Sequence, residues 1–232
     1  MLRLITDFDG PIVDVSDRYY CVYQDCLEQL RPRDRPVKRL SKSEFWQLKR
    51  SCVPEREIGV ISGLDRDRAR QFARLRSQTV HSSPYLHHDR LIPGAIDALE
   101  RAQRSGLDLV LMTMRRQREL EEALYRCGLD RFFPPHRRYC IGNDEAKSLD
   151  TQDKPRLMRQ ALMELPPAGE QWMVGDTEAD AIAARTYSVK FIGVLSGIRD
   201  RQRLNPYRPD RIVEDLTEAV DLVVERATQV VS

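Results

Sequence analysis

The feature that most constrains this chain is a set of short apolar runs suited to burial on both faces. Residues Leu2–Thr6, 107–113, 171–175 and 189–194 are each compact, rich in aliphatic and β-branched residues, and bounded by polar residues or glycine. Continuous runs of this length suit strands covered on both sides. Residues 139–141 add a fifth candidate, and Arg211–Val213 a short edge strand. Helical patterns fall between them. Residues 95–104 follow Pro93 and stop before Gly106, and 117–127 stop at Gly128, as helices ending on a glycine do. Residues 156–163 follow Pro155, which suits a first helical position. Patterns at 178–185 and 216–227 complete the alternation. Strand and helix alternate from residue 93 onward, which predicts an α/β, Rossmann-like parallel sheet with helices on both faces.

One interval breaks this rhythm. Between the first strand and residue 107 nothing reads as a strand, and helices are predicted at 17–30, 41–50, 55–61 and 65–80. That is too much chain for one crossover. It predicts an all-helical insertion over the end of the first strand, with residues 15–88 as one unit and 1–14 with 89–232 as the other. The stretch 31–39, RPRDRPVKR, reads as a solvated interhelix loop rather than a nucleic-acid footprint.

The 232 residues are 41% hydrophobic, enough for a substantial core, and 32% charged. The net charge is only +2, which argues against nucleic acid as a partner. No apolar run approaches the roughly 20 residues that cross a bilayer. The opening MLRLITDFDG carries two acids where a signal peptide would be cleaved, so it reads as the first strand. Five cysteines, an odd number without a CxxC pair, suit free thiols in a reducing cytoplasm.

The chemistry gathers where the buried runs end. The first ends in Asp7, with Asp9 two residues on; the second ends in Thr113; the third ends in Gly175-Asp176, with Asp180 close behind. Ligands of open α/β sheets bind outside the carboxyl ends of the strands, so these groups are expected to meet at one edge. Packed carboxylates repel, and a bound cation or shared proton resolves the repulsion. Oxygen donors without His or Cys favour Mg²⁺ over zinc.

The string DFDGPIVD resembles the first motif of the haloacid dehalogenase superfamily. Thr113 after LDLVLM resembles the second motif, Lys154 in DKPR the third, and GDTEAD at 175–180 the fourth. The order and approximate spacing hold over nearly the whole chain. The resemblance implies a Mg²⁺-dependent phosphohydrolase. Asp7 would be the phosphoryl-accepting nucleophile, Asp9 the general acid and base, and Asp176 and Asp180 metal ligands beside Asp7 and the backbone carbonyl of Asp9. Thr113, the Met114 amide and Lys154 would hold the phosphoryl group. Dehalogenating members lack the second acid, so Asp9 points to phosphoryl transfer.

Pro11 departs from the family's usual Thr and removes an N–H, and Met114 stands where many relatives carry Asn. The helical insertion resembles the cap of the subgroup that includes phosphoglycolate phosphatase and β-phosphoglucomutase. The implied partner is a small phosphorylated metabolite, bound by a cytoplasmic monomer or homodimer with no membrane association. Lys49, Arg50 and Arg56, near a break at Pro54, and Arg115, just past Thr113, are candidates for a second anionic group of the substrate. His87-His88-Asp89 lies at the cap hinge without matching metal partners. A phosphomutase of the same fold and a weakly active regulatory protein are the rival readings.

Overall fold

A computed structural model describes residues 1–33 and 36–231, with side chains described through Arg226. Asp34 and Arg35, within the expected interhelix loop, lie outside the described residues, as do the side chains at the end of the last helix.

In chain order the elements are β1 (Leu2–Thr6), β2 (Val13–Asp14), α1 (Ser16–Gln29), α2 (Lys42–Arg50), α3 (Glu55–Ile61), α4 (Arg66–Thr79), α5 (Ser83–Leu86) and β3 (Arg90–Leu91). There follow α6 (Ala95–Arg104), β4 (Asp108–Arg116), α7 (Gln117–Cys127), β5 (Arg138–Ile141), α8 (Asp150–Glu164), β6 (Glu170–Gly175), α9 (Glu178–Thr186), β7 (Lys190–Val194), α10 (Arg201–Leu204), β8 (Arg211–Val213) and α11 (Leu216–Val231). Six strands form one parallel sheet in the order β5-β4-β1-β6-β7-β8. The chain winds outward from β1 in both directions, so β1 is central and the strand order reverses beside it. That is the place where an open α/β sheet leaves a crevice.

The two-residue period of the strands divides their side chains between two cores. Leu4, Leu109, Leu111 and Val174 pack with α6, α7 and α11. Ile5, Val110, Met112 and Met173 pack with α8 and α9 on the other face. The continuous apolar runs follow from this double cover.

The helices between β2 and β3 have a core of their own. Val22 and Tyr23 of α1, Phe45 of α2, Ile58 of α3 and Phe72 of α4 are fully buried together, with Phe45 stacked on Tyr23 at 4.7 Å. Burying one side chain of this size contributes about 1.5–3 kcal/mol, so the insert has its own source of cohesion. Ser41 caps α2 through a reciprocal capping box with Glu44, and the Asp65 carboxylate caps α4. These polar residues set the starts of helices that periodicity places only approximately.

Three expectations need correction. First, two short strands do lie between β1 and residue 107, at the passages between sheet and insert. Val13–Asp14 pairs antiparallel with Arg90–Leu91, so the crossings are held together as a short ribbon. Second, Thr113 lies inside its strand, because β4 continues to Arg116. The Arg116 guanidinium is fixed by the carbonyls of Gly142, Asn143 and Glu145, which holds the extension against the chain beyond β5. Third, Pro155 does not start α8. The helix begins at Asp150, where the Leu149 carbonyl accepts from the N–H groups of Gln152 and Asp153. Lys154 is therefore a buried helical residue rather than the end of a loop. Among the described residues no helix is long and apolar enough to cross a membrane.

Candidate active site

The C-terminal end of β1 delivers Asp7 at the centre of the sheet. Its N–H donates to the Val174 carbonyl at 2.8 Å, which prolongs the pairing with β6 by one residue. The chain then turns tightly. Ile12 and Val13 donate to the Phe8 carbonyl, and Gly10 donates to Val13. Pro11 leaves no bond of this turn unmade, because the donors are its neighbours.

The Asp7 carboxylate accepts from the Phe8 N–H at 2.7 Å and from the Lys154 ammonium at 2.6 Å. Lys154 also pairs closely with Asp180. One carboxylate oxygen from each of Asp7, Asp176 and Asp180 lies within 4.8 Å of the other two. Asp180 takes the Thr177 hydroxyl at 2.6 Å and N–H at 3.0 Å, so one side chain both caps α9 and completes the acid trio. Asp176 accepts the Ile198 N–H at 2.6 Å. It is packed so tightly that a Cβ added at Gly10, where φ is +97°, would lie 2.3 Å from its Cγ, and one at Gly197 would lie 1.9 Å from its Oδ2.

Three carboxylates here share one ammonium, and the titration behaviour reflects that excess. Burial, aided by Asp180 and Asp176 and opposed by Lys154, raises Asp7 well above the usual carboxylate range. Burial and then Asp180 push Asp176 up to about 7. Burial opposes the charge on Lys154, but Asp180 and Asp7 outweigh it and keep the ammonium protonated. Buried, hard and negative in excess, the trio fits a divalent cation.

Asp9 stands in different surroundings. Its Oδ2 accepts from Arg18 and its Oδ1 from Arg115, both at 2.7 Å. Both arginines also reach Asp89, Arg18 at 3.1 Å and Arg115 at 2.5 Å. Burial works to raise Asp9, but Arg115 and then Arg18 outweigh it and hold the carboxyl well below its ordinary value.

Between these groups lies a cavity of about 90 Å³. Asp7, Asp9, Thr113, Met114, Arg115, Lys154 and Asp176 line it, while Asp180 stands behind them. Thr113 is buried, its hydroxyl accepting the Arg115 N–H at 3.2 Å. The insert supplies Tyr19 and His81, the segment before α8 supplies Lys147, and α8 supplies its first residue, Asp150. Burial, with Arg18 and Lys147 nearby, pushes His81 down to about 3, so its ring is neutral. Burial pushes the Tyr19 hydroxyl up to about 12.

Three expected substrate contacts do not line the cavity. The Lys49 ammonium is turned onto Glu55 and sits behind Tyr19, 5.7 Å from its ring centroid. Arg50 meets the core elsewhere, its carbonyl accepting the Asp200 N–H at 3.4 Å. Arg56 lies on another surface, beside Val60 and Ile61. Sequence reasoning missed Arg18, Asp89, His81 and Gly197. For Asp89 there was a signal, an acid following two histidines at the hinge. Of that triplet only Asp89 is buried.

The family model of the haloacid dehalogenase-like hydrolases matches residues 3–186. Among curated proteins the chain is similar to phosphoglycolate phosphatase of Pseudomonas fluorescens (strain Pf0-1), 24% identical over 138 residues, or 60% of this chain and 49% of that one. The match thus spans about half the length of that relative. It is also similar to pyrophosphatase PpaX of Oceanobacillus iheyensis, 24% identical over 225 residues and 95% of each chain. A solved haloacid dehalogenase-like family hydrolase from Streptococcus pneumoniae superposes with a TM-score of 0.67 at 20% identity, over 95% of this chain and 97% of that one, and so shares its fold. The matched segment contains Asp7, Lys154 and all of the acid trio, and the chain therefore belongs to the haloacid dehalogenase-like hydrolases.

Proposed function

We propose that this chain is a Mg²⁺-dependent phosphatase that hydrolyses a small-molecule phosphate monoester through an aspartyl-phosphate at Asp7. One observation carries the reading. Three buried carboxylates gathered around the buried Lys154 ammonium stand at a cavity of about 90 Å³ at the switch point of the sheet. An acid trio with that excess charge is suited to holding a cation beside a phosphoryl group.

Asp7 attacks phosphorus as the ester P–O bond breaks, and the leaving oxygen takes a proton from Asp9, which must enter this step protonated and released from an arginine. Asp9 then accepts a proton from the water that hydrolyses the aspartyl-phosphate. In the paired state described above Asp9 is ionised, the form suited to that second step. Lys154 keeps Asp7 oriented and offsets phosphoryl charge, and Thr113 and the Met114 amide supply hydrogen bonds to the phosphoryl oxygens. Asp7, Asp176, Asp180 and the Asp9 carbonyl would hold Mg²⁺, which supplies charge neutralisation for an anionic nucleophile meeting an anionic substrate.

We read residues 15–88 as the cap and 1–14 with 89–232 as the core. Tyr19 and His81 give the cap a direct part in substrate choice, and Arg115 remains the candidate for a second anionic group. The small cavity favours a metabolite over a polymer. The names of the relatives make phosphoglycolate and pyrophosphate the first substrates to assay. The free cysteines suit a cytoplasmic setting.

The test is hydrolysis of an aryl phosphate with Mg²⁺, with EDTA, and by Asp7→Asn. EDTA should abolish turnover, and Asp7→Asn should lower kcat by at least ~10³-fold, as removal of a nucleophile does. Activity that survives either treatment would sink the mechanism.

A further inference from the structure

The cations on the cavity wall differ in how firmly they are already held. Arg115 gives its Nε and Nη2 to Asp9 and Asp89, and Lys154 is divided between Asp7 and Asp180. A substrate anion can engage either one only by displacing a carboxylate from it, and a carboxylate left without its partner inside a protein is costly. The remaining cation on the wall, Lys147, is held differently. Its ion-pair partner is Asp150, at 3.4 Å, and that carboxylate is 55% exposed. A pair so open to water contributes little, so the ammonium can exchange it for a better partner.

The chain at Lys147 is nonetheless anchored. The next residue, Ser148, donates its N–H at 2.8 Å and its hydroxyl at 3.0 Å to the buried Asp153. Lys147 therefore combines a loosely paired head group with a fixed backbone. The cap adds two neutral groups to the same cavity. Tyr19 and His81 both line it, with their rings in edge-to-face contact at 6.4 Å. Among the described residues neither the Tyr19 hydroxyl nor the His81 ring has a hydrogen-bond partner. One available ammonium and two unused neutral groups match a ligand that carries a single negative charge and several acceptor lone pairs.

We propose that Lys147 is a specificity-determining residue, which with the Tyr19 hydroxyl and the His81 ring receives a carboxylate on the leaving alcohol of the substrate. The inference deepens the phosphatase reading of this site and rests on it. It gives the second anionic group to Lys147 rather than to Arg115, whose bonds are already taken. The small cavity confines that carboxylate to a short alcohol.

The experiment compares kcat/KM for phosphoglycolate with kcat/KM for phosphoglycolamide, its uncharged isostere. The full-length chain is assayed with saturating Mg²⁺, and each variant is checked for a cooperative thermal transition. Wild type should prefer the carboxylate by about tenfold or more, the scale of one charge-assisted contact. Lys147→Met keeps the length of the side chain and removes its charge, and should bring that preference below about threefold, whereas Lys147→Arg should retain most of it. Asp150→Asn frees the ammonium and should raise the preference by about threefold, but the same change in a Lys147→Met background should give no gain. Pyrophosphate, assayed alongside, separates a carboxylate from a second phosphoryl group, and its kcat/KM should fall less in Lys147→Met than that of phosphoglycolate. A wild type indifferent between acid and amide, a folded Lys147→Met protein that keeps the preference, a gain from Asp150→Asn that survives without Lys147, or a larger fall on pyrophosphate would each overturn the proposal. Wild-type protein that hydrolyses none of these substrates, an aryl phosphate included, or does so regardless of EDTA, would instead overturn the phosphatase reading itself.

Discussion

The two ends of this cavity use the same residue types to opposite effect. At the Asp7 end three buried acids face one lysine, and Asp7 and Asp176 are pushed upward. At the Asp9 end two acids face two arginines, and Asp9 is held down. Burial works in the same direction at both ends, so it does not separate them. The local charge balance does. One end carries an excess of negative charge suited to a cation, whereas the other is balanced and presents a fixed carboxylate. On the function proposed above, a metal-binding half and a proton-handling half sit side by side without exchanging roles.

The first way to break this comparison is to disturb the metal half alone. The atoms nearest to a Cβ added at Gly197 all belong to Asp176, whose carboxylate it would overlap. Gly197→Ala should displace either Asp176 or the loop whose Ile198 N–H holds it. The Mg²⁺ concentration for half-maximal activity should rise about 10–100-fold, the usual consequence of disturbing a group that orients a metal ligand. Unchanged Mg²⁺ dependence in a folded Gly197→Ala protein would show that Asp176 is not part of a metal site.

The second way uses pH. Asp176 has an ordinary value of 3.8 in the unfolded chain and about 7 in the fold. Between those values the folded protein keeps a proton that the unfolded chain has lost. Its contribution to stability is therefore fully present below about pH 4 and is lost as pH rises through about 7. Cation binding requires the ionised carboxylate, so it follows the reverse trend. Mg²⁺ should raise the melting temperature by several degrees more at about pH 8 than at about pH 5. Asp9 carries the opposite sign, since a depressed carboxyl favours the fold above its ordinary value and loses that contribution only in acid. Equal Mg²⁺ stabilisation at the two pH values would remove the contrast between the ends.

Legibility in the sequence follows the same division. The trio and its lysine were readable because each of these residues sits in a motif at a strand end or at a fixed place in chain order. Strands buried on both faces were readable because their apolar runs have few polar interruptions, and two of these, Arg3 and Asp108, pair with each other across the strands. The extension of β4 past Thr113 was not, because its last residues, Met-Arg-Arg, are held by bonds from Arg116 to a distant loop. The early start of α8 was hidden by a proline that the helix accommodates in its second turn. The pairing of Arg18 and Arg115 with Asp9 and Asp89 was not readable. Arg18 is one arginine in a chain rich in them, and only the folded crossings bring it to Asp9 and Asp89. Pairing set by tertiary structure leaves no spacing to read.

The smallest expected effect concerns a residue that sequence alone placed in the substrate site. Lys49 pairs with Glu55, and Glu55 also takes Arg76 at 2.8 Å, so this cluster ties α2, α3 and α4 together inside the cap. Burial lowers the Lys49 ammonium and Glu55 works against that, consistent with a partner inside the cap rather than a ligand. Lys49→Met keeps most of the side-chain volume and removes the charge. It should change KM for any anionic substrate by less than about twofold, because Tyr19 lies between Lys49 and the cavity and side chains away from the ligand contribute little to its binding. Its cost should appear instead in stability, at about 1–3 kcal/mol for leaving Glu55 short of a partner, read from chemical denaturation. A tenfold rise in KM without loss of stability would bring Lys49 back into the site, and would mean that the cap closes further on substrate than it does here.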